Sequence, residues 1–494
     1  MAKRSSAVPF PPLGLDFESP VPVYRQIYEN LREAILSGRL ARGAQLPSTR
    51  TLAAGLGVSR TTVVVAFRQL HAEGYLEGRV GSGTYVACAL PDDLLGVRVD
   101  AAYEPRPVAS GYGLSGRGKL LATTPATTIR DQGPARAFRP GVPALEEFPI
   151  EVWRRLAGKV WRRPPRGLLG YGDPGGYQPL RETIANHLGA ARAVRCTWEQ
   201  VIVISGSQRA LDLCARLLLD PGDAAWVEDP GYAGVRAALV GAGARLIPTP
   251  VDEEGLDITA GEAREPDARL VHVTPSHQYP LGVTMSLARR LALLEWASRS
   301  GAWILEDDYD SEYRYTGRPL EALQGLDAEG RVIYVGTFSK VLFPGLRLGY
   351  LVVPPGLVEA FVNASEVVDR HPPSVEQAIL ADFIAEGHFA RHLRRTLLIY
   401  AERQQILLEE AKENLVGLLD VRSAQAGIHL VGWLPPGADD VEASRKIAAR
   451  GVEAPPLASY STEAPQRPGL ILGYAAVGRG EIRRGVRRLA ETLC

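Results

Sequence analysis

Lysine is scarce in this 494-residue chain: of 56 basic residues only six, Lys3, Lys119, Lys159, Lys340, Lys412 and Lys446, are lysines, and the others are arginines. Net charge is lacking too, because 56 acidic residues balance the basic set. A chain that coats nucleic acid or an anionic membrane along its whole length is thereby excluded. Cysteine is limited to Cys88, Cys196, Cys214 and Cys494, with no Cys-x-x-Cys spacing. That argues against a zinc site, so no metal is expected, and against a disulfide framework; it fits a reducing cytoplasm. No uncharged apolar run approaches the ~18 residues of a spanning helix. The start, Met1-Ala-Lys-Arg-Ser-Ser6, lacks the apolar stretch of a signal peptide, so neither secretion nor a membrane partner is expected.

What is present is a globular composition, 46 % hydrophobic and 23 % charged, over a length that predicts two or three domains. Neutrality overall hides a local imbalance. After an N-terminal tail (residues 1–20), the window from Val21 to Val86 holds eight arginines against Glu29, Glu33, Glu73 and Glu77, and no acid lies between Glu33 and Glu73. Such a footprint suits phosphate binding. Val23, Ile27, Leu31 and Ile35 recur every fourth residue, as on an amphipathic helix that Ser37-Gly38 ends. Ser48 is placed to cap a short helix through Leu56, and Ser59 to cap another running to about His71. Arg60, Thr61 and Thr62 sit in the first turn of the latter, where a recognition helix meets bases and phosphates. Gly74 to Val86 then alternates into a hairpin whose tip holds Arg79, Gly81 and Gly83.

Leu46-Pro-Ser-Thr-Arg50, Val58-Ser-Arg-Thr-Thr62 and Gly81-Ser-Gly-Thr-Tyr85 resemble the winged helix-turn-helix of GntR-type regulators, an α+β DNA-binding domain over residues 21–86. The resemblance implies that Arg50, Arg60, Thr61 and Thr62 meet DNA, as do wing residues from Arg79 to Gly83, Ser82 among them.

From Ala87 to about Arg136 the periodicity vanishes and Pro, Gly and Thr dominate, which predicts an irregular connector over residues 87–136. Beyond it, the apolar runs Val201–Ile204, Ala225–Val227, Leu270–Val273, Trp303–Leu305 and Val332–Val335 alternate with helical stretches such as 209–219 and 287–300. This is the pattern of a mostly parallel α/β sheet, whose ligands belong at the carboxyl ends of its strands. Those ends are polar. Ser205-Gly-Ser-Gln208 opens a helix and forms either an anion seat or a simple cap. Glu306-Asp-Asp-Tyr-Asp310 crowds carboxylates that need partners, without histidines at metal-ligand spacing. Gly336-Thr-Phe-Ser-Lys340 follows another strand, with Arg347 seven residues on. In so arginine-rich a chain, a lysine among Phe338, Leu342 and Phe343 suits an amine that can lose its proton and attack a carbonyl; a structural lysine is the alternative. Desolvation there lowers its pKa.

In this order and spacing, the pieces resemble fold type I pyridoxal-phosphate enzymes, the aminotransferase superfamily, over residues 137–494. A large part spans about 165–375 and a small C-terminal part about 376–494. The resemblance implies that Lys340 forms the Schiff base with pyridoxal 5′-phosphate, that Asp307 pairs with the pyridine nitrogen, that Tyr309 bonds the ring hydroxyl and that Tyr232 stacks on the ring. Gly206, Ser207, Gln208, Thr337, Ser339 and Arg347 would hold the phosphate, Tyr171 would reach a phosphate across a dimer interface, and His277 joins the cofactor-binding set. Two departures stand out. Where these enzymes place Asn before Pro in Asn-Pro-x-Gly, this chain has Tyr279, and where they carry a C-terminal arginine that clamps the substrate carboxylate, the match is Leu472.

A GntR-type winged helix joined to an aminotransferase-like domain resembles the MocR subgroup of bacterial regulators, as do Thr274-Pro-Ser-His-Gln-Tyr-Pro280 and Glu306-Asp-Asp-Tyr-Asp-Ser-Glu312. The resemblance implies a regulator of promoter DNA, a domain-swapped homodimer, and an effector that is pyridoxal phosphate itself or an amine or amino acid reacting with it. A working aminotransferase with an accessory DNA-binding arm is the competing expectation.

Overall fold

A computed structural model describes residues 13–79, 82–91, 113–124, 135–317, 320–463, 465 and 467–494. The chain divides into two compact units, 1–112 and 113–494.

In the first unit, helices α1 (Val23–Leu36), α2 (Thr49–Leu56) and α3 (Arg60–Ala72) precede strands β1 (Leu76–Arg79) and β2 (Gly83–Val86). The helix starts follow the expected caps: Ser48 Oγ accepts the Thr51 N–H and Ser59 Oγ accepts the Thr62 N–H, both at 3.1 Å. Ile27, Leu31, Val63, Leu70 and Val86 are fully buried between the helices and the hairpin. The hairpin pairs Leu76 with Val86 and Arg79 with Gly83. Two expectations change at the edges of this unit. The described end of the tail is tied to α1, because Gln26 Nε2 donates to Asp16 O at 2.8 Å and Asn30 Nδ2 to Gly14 O at 3.0 Å. Residues 87–91 belong to the domain rather than to a connector, since the Ala87 N–H donates to Tyr75 O at 2.9 Å and Leu90 is buried in the same core.

The second unit carries an eight-stranded sheet: β3 (Val201–Ile204), β4 (Ala224–Asp229), β5 (Arg245–Asp252), β6 (Gly255–Leu256), β7 (Leu270–Val273), β8 (Trp303–Asp308), β9 (Val332–Thr337) and β10 (Gly349–Val352). Its order is β3-β10-β9-β8-β7-β4-β5-β6. Strands β9, β8, β7, β4 and β5 run parallel, while β10 is antiparallel to both β3 and β9. Fully buried Val and Ile side chains in these strands explain why they read as continuous apolar runs. A three-stranded antiparallel sheet, β11 (Asp420–Val421), β12 (His429–Trp433) and β13 (Gly469–Gly473), lies with the helices His388–Asn414, Asp440–Ala449 and Arg479–Leu493. The segment entering at Ala137 joins this sheet, with the Gly473 N–H donating to Phe138 O at 2.9 Å.

The connector is not irregular throughout. Gly116–Thr123 is a helix capped by Ser115. Its Arg117 Nε donates to Gly241 O at 2.7 Å, and Leu121 packs on the same glycine. Two glycines in the helix hid it from sequence reasoning; docking on helix Ala233–Ala242 offsets their cost.

Candidate functional site

Strand alternation sorts the acids at the end of β8. Glu306 and Asp308 point to one face, and Asp307 points to the other. Glu306 accepts the N–H groups of Leu323 and Gln324, both at 2.8 Å, and burial pushes its carboxyl up to about 7. Asp308 Oδ2 meets Arg192 Nε at 3.0 Å and the Tyr334 hydroxyl at 2.5 Å. Each acid has its own partners, so the run stays inside a buried strand. Asp307 Oδ2 lies 3.5 Å from His272 Nε2 on β7, while its Oδ1 is buried with no hydrogen-bond partner among the described residues. His272, fully buried, is a site residue that sequence reasoning missed. Its only signal was a lone imidazole in the apolar run Leu270–Val273.

Lys340 follows β9 and donates from Nζ to Gly141 O at 2.7 Å. Burial lowers its pKa, opposed by Asp310 and Asp307. The Arg139–Val142 segment, also unforeseen, closes this side of a cavity of about 290 Å³. Ser207, Gln208, Tyr232, Asp307, Tyr309, Thr337, Ser339, Lys340 and Arg347 all line that cavity. Gly206 caps helix Ser207–Leu218 with φ of 94°; a Cβ there would stand 3.1 Å from Arg347 Nη2. Arg347 has a positive φ of 52° and donates to Ser205 O at 3.1 Å, a strained backbone that aims its guanidinium across the helix N-terminus. The Tyr232 hydroxyl donates to Gln208 Oε1 at 3.4 Å, and burial pushes its pKa up to about 12.

These groups fit pyridoxal 5′-phosphate: a guanidinium and a helix N-terminus suit its phosphate, a desolvated amine its aldehyde, and the unpartnered Asp307 Oδ1 its ring nitrogen. When bound, that cofactor supplies an electron-accepting ring. Two predicted residues lie elsewhere. Tyr171 is 85 % exposed under the Arg370 guanidinium, 5.1 Å away. His277 sits behind Tyr309, with Nδ1 at 2.9 Å from its hydroxyl. Although no histidine lies at metal-ligand spacing from the acids in the sequence, His277, Asp310 and His429 bring their ligating atoms within 4.8 Å of one another in space. The fold joins loops that are far apart in sequence. His277 faces Asp310 at 3.1 Å, and His429 Nε2 donates to Pro280 O at 3.0 Å.

The two departures persist in three dimensions. Tyr279 turns its hydroxyl to Tyr460 at 3.2 Å. Leu472 is fully buried in β13, opposite Leu430. Arg467 lies over Trp433 and Arg479 pairs with Glu402 at 2.7 Å, so neither replaces a clamp. Arg139 does line the cavity, but both its Nε and Nη2 go to the Glu453 carboxylate.

On the first unit, Arg50, Arg60 and Thr61 are exposed, and neither arginine has a carboxylate partner among the described residues. The Thr62 hydroxyl is 2.8 Å from Ser59 Oγ and so closes the cap. Arg79 pairs with Glu77 at 2.8 Å and covers the Tyr85 ring at 4.5 Å. Ser82 Oγ meets the Tyr85 hydroxyl at 2.8 Å. Gly81 lies outside the described residues.

Among the described residues no helix is long and apolar enough to cross a membrane. The model of bacterial regulatory proteins of the gntR family matches residues 23–86, and that of class I and II aminotransferases matches residues 143–489. The chain is 44 % identical to "Probable rhizopine catabolism regulatory protein MocR" of Rhizobium meliloti, over 97 % of this chain and 95 % of that protein. It is 31 % identical to the pyridoxine biosynthesis transcriptional regulator PdxR of Corynebacterium glutamicum, over 98 % of each. Kynurenine aminotransferase of Pyrococcus horikoshii, solved with PMP, superposes with a TM-score of 0.68 at 30 % identity, covering 76 % of this chain and 92 % of that one. A gntR-type winged helix and an aminotransferase domain in one polypeptide, matched along nearly its whole length, place this chain in the MocR-type family of transcriptional regulators.

Proposed function

We propose that this chain binds promoter DNA through its winged helix and senses pyridoxal phosphate, or an amine reacting with it, through covalent attachment at Lys340. The observation that carries the reading is a contrast between the cavity and the strand β13. Lys340, Asp307 and Arg347 line one cavity, while Leu472, the position that the resemblance matches to the carboxylate clamp, is an apolar side chain buried outside that lining. Loss of a bidentate, charge-assisted contact weakens amino-acid binding by about 2–3 kcal/mol, which favours pyridoxal phosphate itself as the signal. The protein works in the cytoplasm, where its DNA is, as a domain-swapped homodimer. Tyr171, which is exposed and does not line its own chain's cavity, supports that assembly, since an exposed tyrosine can reach a partner's phosphate. An effector shifts the dimer between two DNA-binding geometries to the extent that its affinity differs between them.

The test is DNA affinity measured with and without pyridoxal phosphate, on a fragment from the protein's own upstream region. An affinity that does not respond overturns the sensing reading. The intact cofactor set favours a second activity, slow half-transamination. Rapid, sustained turnover of an amino acid with a keto acid would instead make the chain a working aminotransferase.

A further inference from the structure

The enzymes this domain resembles support the cofactor's ring hydroxyl with a loop asparagine, and here that position is Tyr279, whose hydroxyl is taken by Tyr460. Tyr309 has gained a different neighbour. Its hydroxyl lies 2.9 Å from His277 Nδ1, and the same nitrogen lies 3.1 Å from Asp310 Oδ2. His277 and Asp310 are each 1 % exposed. The imidazole occupies a space kept clear by two glycines with left-handed backbone, Gly282 (φ 77°) and Gly427 (φ 90°). A Cβ on Gly427 would overlap the ring, and one on Gly282 would stand 3.2 Å from its Nε2.

The proton count gives this arrangement a direction. A neutral imidazole carries one N–H. Ionised Asp310 can only accept, so it draws that hydrogen to Nδ1, where Asp310 and the Tyr309 oxygen share it. Nε2 has no hydrogen-bond partner among the described residues, which suits a bare lone pair better than a buried N–H. Tyr309 then receives a hydrogen bond from His277 and keeps its own proton for the cavity. The opposite tautomer would consume that proton. The charges that bear on the cluster are Asp307 and Glu228 beside Tyr309, and Asp308 and Lys340 beside Asp310. His429 packs on His277, with ring centroids 5.0 Å apart. Burial raises the Asp310 carboxyl, and His277 and Lys340 oppose it.

We infer that His277 and Asp310 are positioning residues that aim the Tyr309 hydroxyl proton at the cofactor's ring oxygen, replacing the support of the missing asparagine. This rests on the cofactor reading above. Losing a hydrogen bond to an ionised oxygen raises that oxygen's proton affinity.

The experiment uses the full chain loaded with pyridoxal phosphate and reads the pH midpoint of its visible absorption, with thermal melting as a control on folding. Tyr309→Phe, His277→Phe and Asp310→Asn should each raise the midpoint by about one pH unit, and the His277→Phe, Tyr309→Phe double variant should go no further. Unmoved midpoints in His277→Phe and Asp310→Asn overturn the inference, as does an additive double variant. Should His277→Phe fail to fold, Asp310→Asn alone decides. An unmodified chain without visible absorption defeats the cofactor reading and this inference with it; absorption with an unmoved midpoint defeats only the inference.

Discussion

Asp307 and His272 stand side by side on neighbouring parallel strands, Oδ2 to Nε2 at 3.5 Å, and the second Asp307 oxygen has no hydrogen-bond partner among the described residues. A buried carboxylate oxygen in that state has lost its water without a replacement, a cost that a protonated ring nitrogen would remove. Asp307→Asn should therefore weaken pyridoxal phosphate binding about 10- to 100-fold, from the ~1.5–3 kcal/mol of a charged hydrogen bond. Equilibrium titration of the absorbance checks it, and an unchanged affinity would show that Asp307 does not hold the ring.

Asp308, one residue on, should behave differently, because its Oδ2 is held by Arg192 and Tyr334 and it does not line the cavity, although its Oδ1 too is without a hydrogen-bond partner among the described residues. Removing one member of such a buried pair strands the other. Arg192→Met should destabilise the unit by about 3–5 kcal/mol, seen as a lower midpoint in chemical denaturation. A loss below about 1 kcal/mol would mean that the pair adds little beyond a hydrophobic contact.

The Lys340 amine should react at lower pH than an ordinary lysine. Burial lowers its pKa from the usual 10.5, so the neutral, nucleophilic fraction rises with pH through a midpoint below that value. The rate at which visible absorption appears after mixing with pyridoxal phosphate should follow that midpoint. A profile still climbing through pH 10.5 would count against a desolvated amine. Lys340→Ala should abolish the covalent absorption.

DNA affinity should depend unequally on the arginines. Arg60 is exposed at the start of α3 without a carboxylate partner among the described residues. Its replacement by Ala should cost operator binding about 1–3 kcal/mol and leave cofactor absorbance unchanged. Arg79 is already paired with Glu77 and packed on Tyr85, so Arg79→Ala should cost less. Binding isotherms at one fixed salt concentration compare the two, and equal affinity of Arg60→Ala and the parent chain would remove Arg60 from the interface.

Local chemistry was legible in the sequence. Ser48 and Ser59 cap the helices they precede, and the apolar runs are the sheet's strands, because capping and hydrophobic periodicity act over a few residues. The helix at Gly116–Thr123 escaped because its stability comes from packing on residues more than a hundred positions away. The same limit hid the histidines. His272 reads as part of an apolar strand until β7 is laid beside β8, and His277 and His429 are 152 positions apart.

The scarcity of lysine drew attention to Lys340, and the basic window together with its capped helices and motifs marked residues 21–86 as resembling a DNA-reading domain, since both depend on what a residue type can do locally. Which carboxylate faces the cavity is set by tertiary structure. Asp307 and Asp308 are chemically identical neighbours, and strand alternation sends one into the cavity and the other to Arg192. Only the fold brings His277, Asp310 and Tyr309 together, because a hydrogen bond demands approach within about 3 Å and chain order says nothing about that distance.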